Sequence, residues 1–116
     1  MVTLEQMREA QARRQDAAST AADAEATRLR ALLPSVAAHL RSLGATEVHL
    51  FGSLASGRFR ADSDVDLATR GLGFHEALRA MTSCAELLGR SVDVVRLEDA
   101  PATLVARVEE TGVRLP

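Results

Sequence analysis

The sequence contains no tryptophan and no tyrosine, and only three phenylalanines among its 116 residues. A core must therefore be aliphatic, built from the Val, Leu and Ala that dominate a hydrophobic content of 47%. Lysine is missing as well: all fourteen basic residues are arginine, set against sixteen acidic ones for a net charge of −2. No block of like charge stands out. That argues against duplex nucleic acid as the main partner, because such affinity rests on clustered cations. The single cysteine, Cys84, excludes an internal disulfide and a cysteine-based metal cluster. It falls inside a helical pattern and is expected in or near the core. No run of eighteen apolar residues and no leader-like apolar segment is present, so neither a membrane span nor a signal peptide is expected, and the cytoplasm is the default location. The length suits one domain with a modest core.

Proline and glycine are sparse and mark the element boundaries. Residues 3 to about 32 contain neither and are rich in Ala, Arg, Glu and Gln, which predicts a helix. Glu9 and Arg13 stand four apart in the favourable order. The apolar face of this helix is thin: Leu4 and Met7 at one end, Leu29, Leu32 and Leu33 at the other, alanines between. Its first two dozen residues read either as a solvated arm or as a contact surface for a partner or a second copy. Residues 1–26 are accordingly taken as a helical extension and residues 27–116 as the domain proper. Pro34 either starts a new helix or kinks one long one. Val36, Ala37, Leu40 and Leu43 continue the stripe to Gly44, a good terminator.

Beyond Gly44 the period changes. Glu47 to Phe51 reads as a strand, with His49 alternating away from Val48 and Leu50 onto a half-exposed face. Residues 64–69 form a second strand. Phe74, Ala77, Leu78, Met81, Ala85 and Leu88 recur at helical spacing over 74–88, closed by Gly89. This places Phe74 and Met81 in the core and leaves His75 and Glu76 solvated. Ser91 to Val95 is a third strand. Pro101 opens a last helix on Leu104, Val105 and Val108, Gly112 ends it, and Val113 to Leu115 suits a short edge strand. The fold class is α/β, with α+β as its near neighbour: a small mixed sheet, helices packed mainly on one face, and an extra N-terminal helix.

The chemistry concentrates between Leu50 and Leu67. An apolar run ends at Gly52-Ser53, and Asp64-Val65-Asp66 opens the second strand. A period of two puts both carboxylates on one face and sends Val65 and Leu67 to the other. Two carboxylates about 5 Å apart at an effective dielectric near 20 repel by roughly 3 kcal/mol, and a bridging divalent cation removes that cost. Few ligands, all oxygen, suit Mg²⁺ held together with substrate phosphates. At Gly52-Ser53 a glycine lets the backbone approach a phosphate, and exposed N–H groups with a hydroxyl can hold it. Residues 54–57 can add one short helical turn, and Asp62-Ser63 reads as a turn. Asp93 interrupts an otherwise apolar valine run. A lone buried carboxylate is expensive, so it is expected to face the site. The bland alternative is that these aspartates decorate an exposed strand, although strands disfavour Asp.

Gly52-Ser53, ten intervening residues and Asp64-Val65-Asp66 together resemble the signature of the DNA polymerase β-type nucleotidyltransferase superfamily. The brevity of the chain is similar to that of its minimal nucleotidyltransferase group, often antitoxin partners of HEPN-domain toxins. The resemblance spans roughly residues 27 to 115. It implies that Asp64, Asp66 and Asp93 hold Mg²⁺, with Asp93 also the base. It further implies that Gly52 and Ser53 hold the phosphates of ATP, and that AMP passes to a hydroxyl of a partner HEPN-type toxin. That hydroxyl is expected on a tyrosine, and this chain has none; Thr69 or Thr103 would be its own candidate acceptors. Many relatives have Arg-Gly where this chain has Ser56-Gly57, so Arg58 or Arg60 is the substitute for the missing cation, with Arg58 taken as phosphate-binding. The resemblance also leaves room for an antitoxin that keeps the fold and neutralises by contact alone, and for assembly into homo- or hetero-oligomers through the N-terminal helix.

Overall fold

A computed structural model describes residues 3–116; the first two residues of the expected extension lie outside it. Eight elements follow in order: α1 (Leu4–Ser42), β1 (Glu47–Phe51), α2 (Ser53–Ser56), β2 (Val65–Arg70), α3 (Phe74–Leu88), β3 (Val92–Arg96), α4 (Ala102–Thr111) and β4 (Val113–Arg114). The four strands form one mixed sheet in the order β3-β2-β1-β4. β1 runs antiparallel to β2 and β4, whereas β2 and β3 are parallel and are joined through α3.

A single helix occupies the N-terminal third. Thr3 caps it: its hydroxyl accepts from the Gln6 N–H while the Gln6 side chain accepts from the Thr3 N–H. Its 39 residues, at 1.5 Å each, account for a longest molecular dimension of 61 Å. Arg13 reaches back to the Glu9 carbonyl oxygen at 3.4 Å. Of the two readings of Pro34, the continuous helix holds. Interior proline costs about 3 kcal/mol, but Leu33, Val36, Ala37 and Leu40 are all buried around it while Pro34 itself lies on the exposed side. Burial of those four side chains, worth about 1.5–3 kcal/mol for each larger one, outweighs the lost bond. Among the described side chains the buried stripe begins at Ala22 and continues through Ala26 and Leu29. Three arginines bind this helix to distant carbonyls: Arg28 to Leu88 at 2.8 Å, Arg30 to Leu54 at 3.0 Å and Arg41 to Leu115 at 2.8 Å.

Alternation along the strands sorts the two faces of the sheet. Val48, Leu50, Val65, Leu67, Val92 and Val94 meet α1 and α3 in the main core. On the opposite face α4 brings Leu104, Val105 and Val108 against Phe51, Ala68 and Leu97. Most helical cover is thus on one side, with α4 across part of the other. Two side-chain expectations change. His49, expected on a half-exposed face, is only 9% exposed, because β1 is an inner strand and α4 packs against it; its ring lies 3.3 Å from the Glu47 carboxylate. In α3 the buried face is Ala77, Ala80, Cys84 and Leu88, leaving Phe74 and Leu78 exposed at 60% and 50%. Small residues let the helix lie close on the sheet, and the bulkier ones are turned to the flank.

Thr69 is fully buried, opposite Val48, and its hydroxyl has no hydrogen-bond partner. Replacing it with valine removes a desolvated, unsatisfied group, so Thr69→Val should raise stability by about 1 kcal/mol, read as a higher urea midpoint; a lower midpoint would mean that the hydroxyl is satisfied. Removal of residues 1–20, which precede the buried stripe, should leave a cooperative thermal transition within a few degrees of the full chain. Loss of cooperativity would show that the arm packs.

Candidate active site

The first half of the site is the turn between β1 and β2. Gly52 has φ 75°, in the left-handed region, and a Cβ there would overlap an Asp66 carboxylate oxygen. Glycine is thus required twice over, by conformation and by proximity. The contact follows from the ladder, which sets Phe51 opposite Asp66. Ser53 opens α2, a single turn held by buried Leu54 and closed by Gly57 in the left-handed conformation.

The second half is the carboxylate row. Asp64 stands exposed just ahead of β2, and Asp66 is half-buried within it. Val65 and Leu67, fully buried in the main core, hold the strand so that Asp66 faces the other way. Asp93 sits exposed on β3 in direct register with Asp66, and paired strands lie about 4.8 Å apart. Burial first, then the charges of Asp93 and Asp64, push the Asp66 carboxyl above its ordinary value of 3.8. Asp66 therefore lies within the field of both other aspartates. Alternation alone sets only Asp64 and Asp66 on one face, and the register of β2 with β3 brings Asp93 beside them.

Among the described residues, no three His, Cys, Asp or Glu side chains close around a point as a ready-made metal cage. The donor set is nonetheless that of a hard cation bound through one or two carboxylates and completed by phosphate oxygens, and the raised Asp66 is a group that a cation would relieve. Arg58 is placed differently. With Arg60 and Asp62 it lines a cleft of about 770 Å³ facing Ser19, Ala22 and Asp23 of α1, and none of the three carboxylates lines that cleft. Thr69, one candidate for self-modification, is fully buried and is excluded as an acceptor; Thr103 is exposed. Sequence reasoning passed over Arg90, whose side chain spans the loop before Asp64. An arginine after a helix-ending glycine looks like any solvated charge, and no local signal distinguishes it.

The polymerase β nucleotidyltransferase family matches residues 44–115, more than half of the chain, which belongs to that family and is a nucleotidyltransferase by it. Within the family it shares its fold with a minimal nucleotidyltransferase, at 30% identity and a TM-score of 0.71 over 78% of this chain and 95% of that one. Similar too is a toxin–antitoxin protein solved with AMP-PNP, at 25% identity and a TM-score of 0.63 over 70% of each chain. A mutant of the toxin–antitoxin pair MntA–HpeT aligns at 28% identity and a TM-score of 0.55, over 63% of this chain and 60% of that one, under two thirds of its length. Among curated proteins no relative matches. No helix among the described residues is long and apolar enough to cross a membrane.

The raised Asp66 carries a signed consequence. The unfolded chain ionises Asp66 at its ordinary value and the fold only at higher pH. Between the two the folded state holds the extra proton, so stability falls as pH rises through that window, and the full penalty persists above it. Metal-free Asp66→Asn should therefore melt higher than wild type at about pH 7, with the difference gone near pH 3. Thermal scans in chelator check this; a lower melting temperature for the variant at neutral pH would mean that the carboxylates do not repel as described.

Proposed function

We propose that the chain is a Mg²⁺-dependent adenylyltransferase serving as the antitoxin of a HEPN-type toxin, moving AMP from ATP to a hydroxyl of that partner. The observation that carries this reading is the register of Asp66 with Asp93, beside Asp64 and against Gly52. The similarity to a toxin–antitoxin protein solved with AMP-PNP supports the nucleotide and the partner class.

Asp64, Asp66 and Asp93 are the residues that would hold the ion together with phosphate oxygens. The ion, when bound, neutralises phosphate charge as pyrophosphate departs. Gly52, with no side chain, lets the turn close on the Asp66 carboxylate, and Ser53 would offer its N–H and hydroxyl to the terminal phosphates beside it. Asp93, exposed at the outer strand β3, takes the proton of the attacking hydroxyl. The new bond joins that oxygen to the α-phosphorus, and the bond from the α-phosphorus to the oxygen bridging to the β-phosphate breaks. The chain has no tyrosine, Thr69 is buried, and of the two candidate threonines only the weaker acceptor Thr103 is exposed. This favours a hydroxyl brought by a docked protein, which also supplies the orientation. Arg58 is left as a phosphate ligand only if its side chain swings out of the cleft beside α1.

Incubation with α-labelled ATP and Mg²⁺, with and without the protein encoded beside this one, tests the reading. Label should appear on the partner and not on this chain. Asp66→Asn should abolish it, and Asp93→Asn should slow it by a factor on the order of 10² or more with nucleotide affinity changed far less. Strong self-labelling, or neutralisation of the partner without label, would favour the alternative of an antitoxin acting by contact alone.

A further inference from the structure

Arg90 lies between the last turn of α3 and the start of β3, three residues ahead of Asp93. Its backbone N–H is taken by the Ala85 carbonyl, 3.2 Å away, as α3 ends. Its guanidinium crosses to the segment that leads into Asp64. Nε donates to the Ser63 carbonyl at 2.7 Å, and Nη2 donates to the Arg60 carbonyl at 3.2 Å and to the Ala61 carbonyl. The charged carbon sits 4.6 Å from the centroid of the Phe59 ring, and Nη1 lies 3.7 Å from the Glu25 carboxylate of α1. The Arg90 side chain is 16% exposed, although the Arg60 and Ala61 carbonyls it meets belong to exposed residues. Next door, the Ser91 carbonyl accepts from the Val65 N–H at 3.0 Å. Asp64 is therefore bracketed: the carbonyl before it is held by Arg90 and the N–H after it by Ser91.

Residues 57–64 carry no helix or strand, and the turn from Arg60 to Ser63 has only two internal hydrogen bonds, each of 3.0 Å. A carboxylate at the end of such a segment must be ordered before it can share an ion, and that ordering opposes binding. A planar fork that satisfies three carbonyls at once and stacks on an aromatic ring is suited to supply the order in advance. We propose that Arg90 is a positioning residue that fixes the 60–64 segment, so that Asp64 stands ready beside Asp66 to bind a divalent cation. The inference rests on the metal role proposed above for Asp64 and Asp66. Arg90 acts through Ser63 and Ala61, whose carbonyls it holds.

The test uses the full chain and Mn²⁺, first alone and then with a non-hydrolysable ATP analogue, with binding followed by electron paramagnetic resonance and segment order by amide hydrogen exchange. Arg90→Ala should weaken Mn²⁺ binding by on the order of 10-fold or more, as loss of a supporting partner does, and should speed exchange in residues 60–64. Arg90→Lys keeps the charge but cannot reach all three carbonyls, and should fall between. Arg41→Ala removes a comparable arginine tie, to the Leu115 carbonyl, which shares no partner with Arg90, and should lower the melting temperature with Mn²⁺ binding unchanged. If Arg90→Ala does not fold, Arg90→Lys carries the measurement. Wild-type binding that persists unaltered in the Arg90 variants, or an equal loss in Arg41→Ala, overturns the inference alone. A wild-type protein that binds no Mn²⁺ even with a non-hydrolysable ATP analogue present overturns the metal reading and the inference with it.

Discussion

Crowded negative charge on one sheet face is the constraint around which this molecule is arranged. Asp66 and Asp93 are in register on adjacent strands, Asp64 is two residues away, and the Asp66 carboxyl is pushed upward in consequence. A strand pair would not choose that arrangement for stability. It is tolerated because the alternate positions, Val65, Leu67, Val92 and Val94, bury their side chains against α1 and α3. Hydrophobic burial on one face thus keeps mutually repelling groups together on the other.

The helices follow from the same division. α1 and α3 cover the apolar face, while α4 packs on Phe51, Ala68 and Leu97 of the second face, where Asp66 stays half-buried and Asp93 exposed. Gly52 is the steric counterpart. Any side chain there would occupy the space of the Asp66 carboxylate, so the approach of the turn to the acid row depends on the one residue with no Cβ.

Arginine does much of the joining in a chain without lysine. Arg28, Arg30 and Arg41 each carry a guanidinium from α1 to a carbonyl far away in the chain, and Arg90 gathers several carbonyls of one segment. A guanidinium has five donors in a rigid fork. It can satisfy carbonyls left over at helix ends and in irregular segments, where a single ammonium would satisfy fewer. The first helix is therefore attached by polar ties as well as by its buried alanine, leucine and valine stripe.

The sequence alone determined the elements whose causes are local. Alternation placed Asp64 and Asp66 opposite Val65 and Leu67, and the strand over Glu47–Phe51 and the helix over Phe74–Leu88, ended by Gly89, follow from periods and terminators within a few residues of one another. The family signature at Gly52-Ser53 and Asp64-Val65-Asp66 was legible for the same reason. Tertiary structure decided whatever depends on which distant surface arrives. Pro34 is carried within one helix because the sheet buries the residues around it. His49 is covered because α4 lies over β1, and Phe74 and Leu78 are left outside because Ala77 and Ala80 admit a closer approach. Arg90 gained its place in the same way: its partners lie some thirty to sixty-five residues earlier in the chain, and only the closed fold brings a guanidinium to those carbonyls.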